Sequence, residues 1–241
     1  MKKNGTLRSM QLLGEFSFDA LELALSYEWY QGYRSLRRLL NPIHFATQSH
    51  VAAIKTQVQS FVPSAADFQS FPTRDQCRVL VLGCGNSTFS EDMLLDGWMG
   101  GIVNVDFSET VVSQMEKKYS KEFYTGAAMK GRRPLTEMEF ICADITKELP
   151  FEANSFDLIV CKGSFDAVLC SAGSVSNARK LVEECVRLLV PGRGIFFLVT
   201  YANPDNRIVF LEHEHNINFY WEGVTVHTVE RPVSQPLQKS Q

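Results

Sequence analysis

Val79-Leu80-Val81-Leu82-Gly83-Cys84-Gly85-Asn86-Ser87 decides how the rest of the chain is read. Four consecutive apolar residues with no polar alternation predict a strand buried on both faces, as in a parallel sheet. Gly83 and Gly85 then predict a tight turn: a residue without Cβ reaches dihedrals closed to others and lets the backbone approach a ligand closely. The polar run from Asn86 to Ser90 reads as the start of a helix, whose free N–H groups and positive dipole end suit a carboxylate or a phosphate. The alternative is a tight turn with no ligand.

Outward from this turn, β-like runs recur at Ile102 to Asp106, Glu139 to Cys142, Phe156 to Cys161 and Ile195 to Thr200, separated by helical periodicity. Ser108 reads as the N-cap of a helix with Val111, Val112, Met115 and Tyr119 on one face, and Ala178 to Leu189 as another, closed by Pro191-Gly192. The alternation predicts an α/β fold, a doubly wound, mostly parallel Rossmann-like sheet with helices on both faces. Before Val79 only helical periodicity is found. Trp29, Tyr33, Leu36 and Leu40 form one stripe, Asn41-Pro42 stops it and opens another helix, and Val51, Ile54, Val58 and Phe61 form a second stripe. The expected organisation is an N-terminal helical cap over 1–76, an α/β core over 77–232 and a polar tail over 233–241. Within the core, Val224 to Val229 alternates as a strand.

Composition sets limits on function. With 241 residues the chain buries roughly 70–75% of its unfolded surface and needs no disulfide or metal to hold a core. A net charge of -3 and a pI near 6.0 argue against a nucleic-acid grip. Arg34-Arg37-Arg38 and Lys130-Arg132-Arg133 read as solvated faces or as docking points for an acidic partner. Six cysteines without a C-x-x-C pair read as reduced thiols of an intracellular, cytoplasmic protein, and no window is long and apolar enough for a membrane span. His44, His50, His213, His215 and His227 lack metal spacing, so no metal is expected. There is no G-x-S-x-G elbow or P-loop.

Asp106 closes the second strand 23 residues after Gly83, where a carboxylate accepts both hydroxyls of a ribose. The ligand class narrows to a nucleoside-bearing cofactor. A dinucleotide site favours a third glycine at position 88, which is Thr88 here. Asp144 and Ile145 follow the third strand, beside the position of an adenine: the carboxylate accepts from the amino group and Ile145 packs on the ring, the alternative for Asp144 being a turn or cap residue. Lys162-Gly163 ends the fourth strand at the carboxyl edge, with Asp166 just beyond. Lys162 reads as lining the cofactor's carboxylate side or the acceptor channel, or as a solvated lysine, and Asp166 as facing the substrate or as a helix-start carboxylate.

Together, LVLGCGNS, VDFSE, CADITKELPF, SFDLIVCKGSFDAVL and LLVPGRGIF resemble the class I (seven-stranded) S-adenosylmethionine-dependent methyltransferases. The narrower resemblance is to the methyltransferase-like group of elongation factor 1-alpha lysine methyltransferases, of the endothelin-converting-enzyme-2-associated type. The segment from Lys162 to Ala167 matches that group's Lys-Gly-Thr-x-Asp-Ala stretch, and YEWYQGY its upstream aromatic motif, with Trp29 at the position that closes over the cofactor. Arg193 replaces a glycine of the family's Pro-Gly-Gly turn, and three departures stand out: the link from Leu40 to Val79 is long, the Tyr-Trp dipeptide that precedes the aromatic motif is not recognisable in FDALELALSYEWY, and no seventh strand is recognisable after Val229.

The resemblance implies S-adenosyl-L-methionine as cofactor and S-adenosyl-L-homocysteine as product. Its contacts would be Trp29, Gly83, Cys84, Gly85, Asn86, Asp106, Phe107, Asp144, Ile145 and Lys162, with Lys162 and Asp166 as catalytic candidates. It further implies a protein lysine as acceptor, a translation elongation factor as partner, no nucleic acid or membrane partner, and a monomer or weak dimer. Two alternatives stay open: a non-catalytic adenosylmethionine-binding scaffold, and a nicotinamide-dependent oxidoreductase.

Overall fold

The computed structural model describes residues 31–40, 71–120, 138–211, 221, 224 and 226–229. Five strands, β1 (Val79–Leu82), β2 (Ile102–Asp106), β3 (Met138–Cys142), β4 (Leu158–Lys162) and β5 (Ile195–Val199), form one sheet in the order β3-β2-β1-β4-β5. Every pairing is parallel, with Val79 opposite both Ile102 and Leu158. The helices are α1 (Tyr33–Leu36), α2 (Phe89–Leu95), α3 (Glu109–Lys118), α4 (Ser164–Leu169), α5 (Ser174–Leu188) and α6 (Asp205–Ile208).

The two-residue period of the strands sorts the core into two layers. Val79, Val81, Leu158 and Val160 face one side, where they meet Tyr33 and Leu36 of α1, Phe89, Met93 and Leu94 of α2, and Val112 and Met115 of α3. Leu80, Leu82, Ile159 and Cys161 face the other, against Phe165 and Val168 of α4 and Ala178, Leu181, Val182, Cys185 and Leu188 of α5. Each large apolar side chain so enclosed contributes about 1.5–3 kcal/mol. Asn104 is a polar intruder in β2: its Oδ1 accepts from the Ser90 hydroxyl at 2.5 Å and its amide donates to the Glu139 carbonyl at 3.2 Å, tying α2, β2 and β3 together.

The doubly wound expectation holds, with local differences. Ser108 caps α3 as expected, accepting from the Val111 amide at 3.3 Å. Helix α5 starts at Ser174, four residues before Ala178, because Gly173 at φ +73° supplies the left-handed turn that opens it. Strand β4 starts at Leu158. Phe156 instead exchanges hydrogen bonds with the end of α5, through its amide to the Leu188 carbonyl and its carbonyl from the Val190 amide. The strand expected at Val224 to Val229 is not formed at the described positions 224 and 226–229; Val229 packs on the core edge without a sheet partner. Of the expected cap, 31–40 packs into the first core layer through Tyr33, Leu36, Leu39 and Leu40, while the segments carrying Trp29, Asn41-Pro42 and the Val51 stripe lie outside the described residues. Among the described residues no helix is long and apolar enough to cross a membrane.

Arg193, the departure in the turn before β5, has a physical role. Its guanidinium lies 2.8 Å from Oδ1 of the buried Asp157, off the hydrogen-bond direction, so the pairing is Coulombic; Oδ2 accepts from the Arg78 amide at 3.0 Å. Arg193→Ala leaves that carboxylate without its counter-charge. Because Arg193 is itself 39% exposed, the expected loss of unfolding free energy is about 1–2 kcal/mol, less than for a fully buried pair. Urea denaturation measures it; an unchanged midpoint contradicts the pairing.

Candidate functional site

The sheet order reverses between β1 and β4, and the carboxyl ends of these strands leave the crevice where open α/β folds bind ligands. Gly83 and Gly85 line it with φ of +64° and +54°. The Gly83 and Cys84 amides bond back to the Val105 carbonyl at 2.7 and 3.1 Å, so the turn is held by β2. A Cβ on Gly83 would sit 2.0 Å from the Ser164 hydroxyl, whereas a Cβ on Gly85 would meet nothing within 4 Å and stand in open space.

Asp106 closes β2 and is 7% exposed. Its Oδ2 accepts from the Gly85 amide at 2.9 Å and its Oδ1 from the Ser108 amide at 3.0 Å. Each oxygen keeps a further lone pair, an acceptor set that fits two vicinal hydroxyls. Phe107, next in sequence, is 81% exposed and presents a bare aromatic face at the same strand end. Cys84 turns its thiol into the first core layer, where burial, with a smaller contribution from Asp106, pushes it up to about 12; its backbone is what the turn presents. Asn86 follows, half-buried.

At the end of β3, Asp144 Oδ1 accepts from the Thr146 amide at 2.9 Å and the Thr146 hydroxyl at 2.7 Å, and Oδ2 pairs with Lys147 at 3.2 Å. The Thr146 backbone bond, then its hydroxyl, hold this carboxyl below the usual range. Ile145 is half-buried on the second core layer. Lys162 ends β4 with Nζ 5.8 Å from the Phe89 ring centre, and Phe89 packs edge-on against Tyr33. Tyr33 in turn donates to Asp96 at 2.6 Å and accepts from the Trp98 indole at 2.9 Å.

Asp166 stands in a network that ties α4 to the segment after β5. Its carboxylate accepts from the Thr200 hydroxyl at 2.5 Å, the Tyr201 amide at 3.0 Å, and Arg207 Nε and Nη2 at 3.0 and 2.7 Å. Gly85 and Asp106 are therefore in direct contact and Gly83 is bonded to the neighbouring Val105, while Asp166 is engaged by a different set of residues. Two partners were not anticipated from the sequence. Ser164 donates to the Leu82 carbonyl at 2.9 Å and ties α4 to the glycine turn; its place beside Lys162-Gly163 was the available signal. Arg207 lies 41 residues from Asp166, too far for any local pattern to announce the pair. Among the described residues no cluster of His, Cys, Asp or Glu is arranged for a metal.

Two outcomes follow from this geometry. Gly83→Ala combines a forbidden contact with a strained φ, and is expected to lower the thermal midpoint; Ser164→Gly in the same chain should recover part of the loss, since it clears the contact but not the strain. No recovery in the double variant refutes the contact. Burial also raises the thiols of Cys77, Cys161 and Cys185. A raised thiol contributes stability fully present below the unfolded value of about 8.5 and lost as pH rises toward the folded one. Iodoacetamide at pH 8.5 is therefore expected to label the exposed Cys142 and Cys170 before the four buried thiols, with stability declining only at higher pH; mass spectrometry of the digested protein reads the order.

Residues 80–198 match the family described as Methyltransferase domain. The chain is 28% identical over 215 residues to EEF1A lysine methyltransferase 4 of Mus musculus, covering 86% of this chain and 66% of that protein. It is 39% identical over 127 residues to the eEF1A lysine and N-terminal methyltransferase of Homo sapiens, covering 52% of this chain and 16% of that protein. The chain thus spans less than two thirds of the length of either relative. Among solved structures, a SAM-dependent methyltransferase from Methanosarcina mazei is 18% identical with a TM-score of 0.45, covering 59% of this chain and 60% of that one.

Proposed function

We propose that this chain, which carries an S-adenosylmethionine-dependent methyltransferase domain over residues 80–198, transfers a methyl group to a lysine amine of a protein. The observation that carries the cofactor side is Asp106: buried, oriented by the Gly85 and Ser108 amides, and retaining a lone pair on each oxygen for a ribose. The acceptor side is supported by the names of the two relatives, both of which refer to lysine methylation of eEF1A.

S-adenosylmethionine, when bound, supplies a methyl group activated by its sulfonium. The residues of this chain hold and orient it. Gly83 and Gly85 let the backbone approach, Asp106 accepts from the ribose, Phe107 offers its face, Asp144 and Ile145 flank the adenine, and Lys162 lines the carboxylate side. Trp29 is assigned to cover the site by resemblance alone. An acceptor lysine has to lose its proton first: with a pKa near 10.4, only about one amine in 10^3 is neutral at pH 7.4, so desolvation in the crevice has to depress that value. Asp166, paired with Arg207, is assigned to fixing the 200–207 segment at the acceptor mouth, where a positioned nucleophile gains most. A cytoplasmic location fits the six free thiols.

Calorimetric titration with S-adenosylhomocysteine is expected to show binding that NAD does not match. Asp106→Ala is expected to weaken it at least about 10- to 100-fold, since even one lost charge-assisted hydrogen bond to the ribose costs that much. Radiolabelled methyl transfer into a lysate should then mark a protein whose hydrolysate contains methyllysine. Binding without labelling would favour the scaffold alternative, and an unchanged dissociation constant in Asp106→Ala would remove the ribose assignment.

A further inference from the structure

Between β3 and β4 the chain crosses from one side of β1 to the other through residues 143–157, which contain neither helix nor strand. The start of this crossing carries Asp144 and Ile145. A loop without a ladder has to satisfy its backbone groups elsewhere, and here the Leu149 amide and carbonyl and the Phe151 carbonyl go to two side chains of α5. Glu184 is 8% exposed and its Oε1 accepts from the Leu149 amide at 2.7 Å. Arg187, one helical turn on, donates from Nη1 to the Phe151 carbonyl at 2.8 Å and from Nη2 to the Leu149 carbonyl at 3.2 Å. The same guanidinium grips Glu184 through Nε at 2.8 Å and Nη2 at 2.6 Å, so the two side chains orient each other.

Helix α5 is itself immobilised by five side chains in the second core layer, and Leu149 is buried in that layer too. Phe151 packs edge-on against Phe156. The loop therefore takes its position from a helix that comes between β4 and β5 in the chain and shares its core layer, more than from β3, which launches it. Asp144 is five residues from the first braced amide, and the intervening turn is closed by its own bonds to Thr146.

We propose that Glu184 and Arg187 are positioning residues that set the base selectivity of the cofactor pocket: by fixing Leu149 and Phe151 they fix where Asp144 and Ile145 stand against the purine. The inference rests on the proposed assignment of Asp144 and Ile145 to adenine. A hydrogen-bonding acceptor discriminates between an amino and an oxo group only while its place is held, since both distance and angle decide the bond. Releasing the brace therefore costs selectivity more than it costs general affinity.

The test compares S-adenosylhomocysteine with S-inosylhomocysteine, in which the 6-amino group is replaced by oxygen, by calorimetry on the full chain. The unmodified protein is expected to prefer adenine by about 10- to 100-fold. Arg187→Ala is expected to shrink that ratio at least about 5-fold, through weaker binding of the adenine ligand, and Arg187→Lys, which cannot reach both carbonyls and Glu184 together, to fall between. A merely structural role would lower the thermal midpoint and weaken both ligands in proportion. If Arg187→Ala does not fold, Arg187→Lys and Glu184→Gln carry the same comparison, the latter keeping an oxygen for the Leu149 amide while losing the charge. A ratio unchanged in variants of a protein that does prefer adenine overturns the brace and leaves the cofactor reading intact. No binding, or no preference, in the unmodified protein overturns the adenine assignment and this inference with it.

Discussion

The hydrogen bond from the Gly85 amide to Asp106 joins the ends of two adjacent strands, and the geometry of the crevice depends on it. Parallel strands leave the sheet in the same direction, so their loops crowd one edge and diverge unless something holds them. Here the turn after β1 is held by β2 twice, through the Val105 carbonyl and the Asp106 carboxylate, and by α4 through the Ser164 hydroxyl. The same carboxylate receives the Ser108 amide at the start of α3. One side chain thus sets the relation of β1, β2 and the next helix while keeping lone pairs for a ligand.

Charge is distributed according to the same logic. Among the described residues, the buried Asp157 and Glu184 and the half-buried Asp166 are each oriented by a backbone amide and a guanidinium: Asp157 by Arg78 and Arg193, Glu184 by Leu149 and Arg187, Asp166 by Tyr201 and Arg207. Removing one partner of such a pair costs more than the pair contributes, because an uncompensated charge stays behind. These pairs fasten loops and strand ends to helices, where no apolar contact could specify an orientation.

The strands were legible because their residues speak locally. VLVL and LIVC are continuous apolar runs, IVNVD is an apolar run interrupted by Asn104 and closed by Asp106, and the glycines at 83 and 85 announce the left-handed dihedrals they adopt. Boundaries were less legible where a neighbour decided them: Phe156 looks like strand but is taken by the end of α5, and α5 begins early because of Gly173. Val224 to Val229 alternates, yet alternation only offers a strand, and its described positions do not take one up. Asp144 shows a different limit. Sequence placed it beside a base or in a turn, and its bonds to Thr146 show the turn directly, while the loop's true anchor, α5, comes more than thirty residues later and leaves no local mark. Arg207 is hidden for the same reason.

The adjacency of β1 and β4 also has a consequence for the order in which the protein is made. Val79 pairs with Leu158, and the two walls of the crevice, the glycine turn and the start of α4, are separated by the whole of α2, β2, α3, β3 and β4. A nascent chain that has emerged only as far as β3 possesses the turn and Asp106 but no opposite wall, and its β1 still presents an unpaired edge. Closing so long a loop is slow relative to forming the local elements. During that interval the exposed edge of β1, with four apolar residues, is the part of the molecule most in need of protection from other chains.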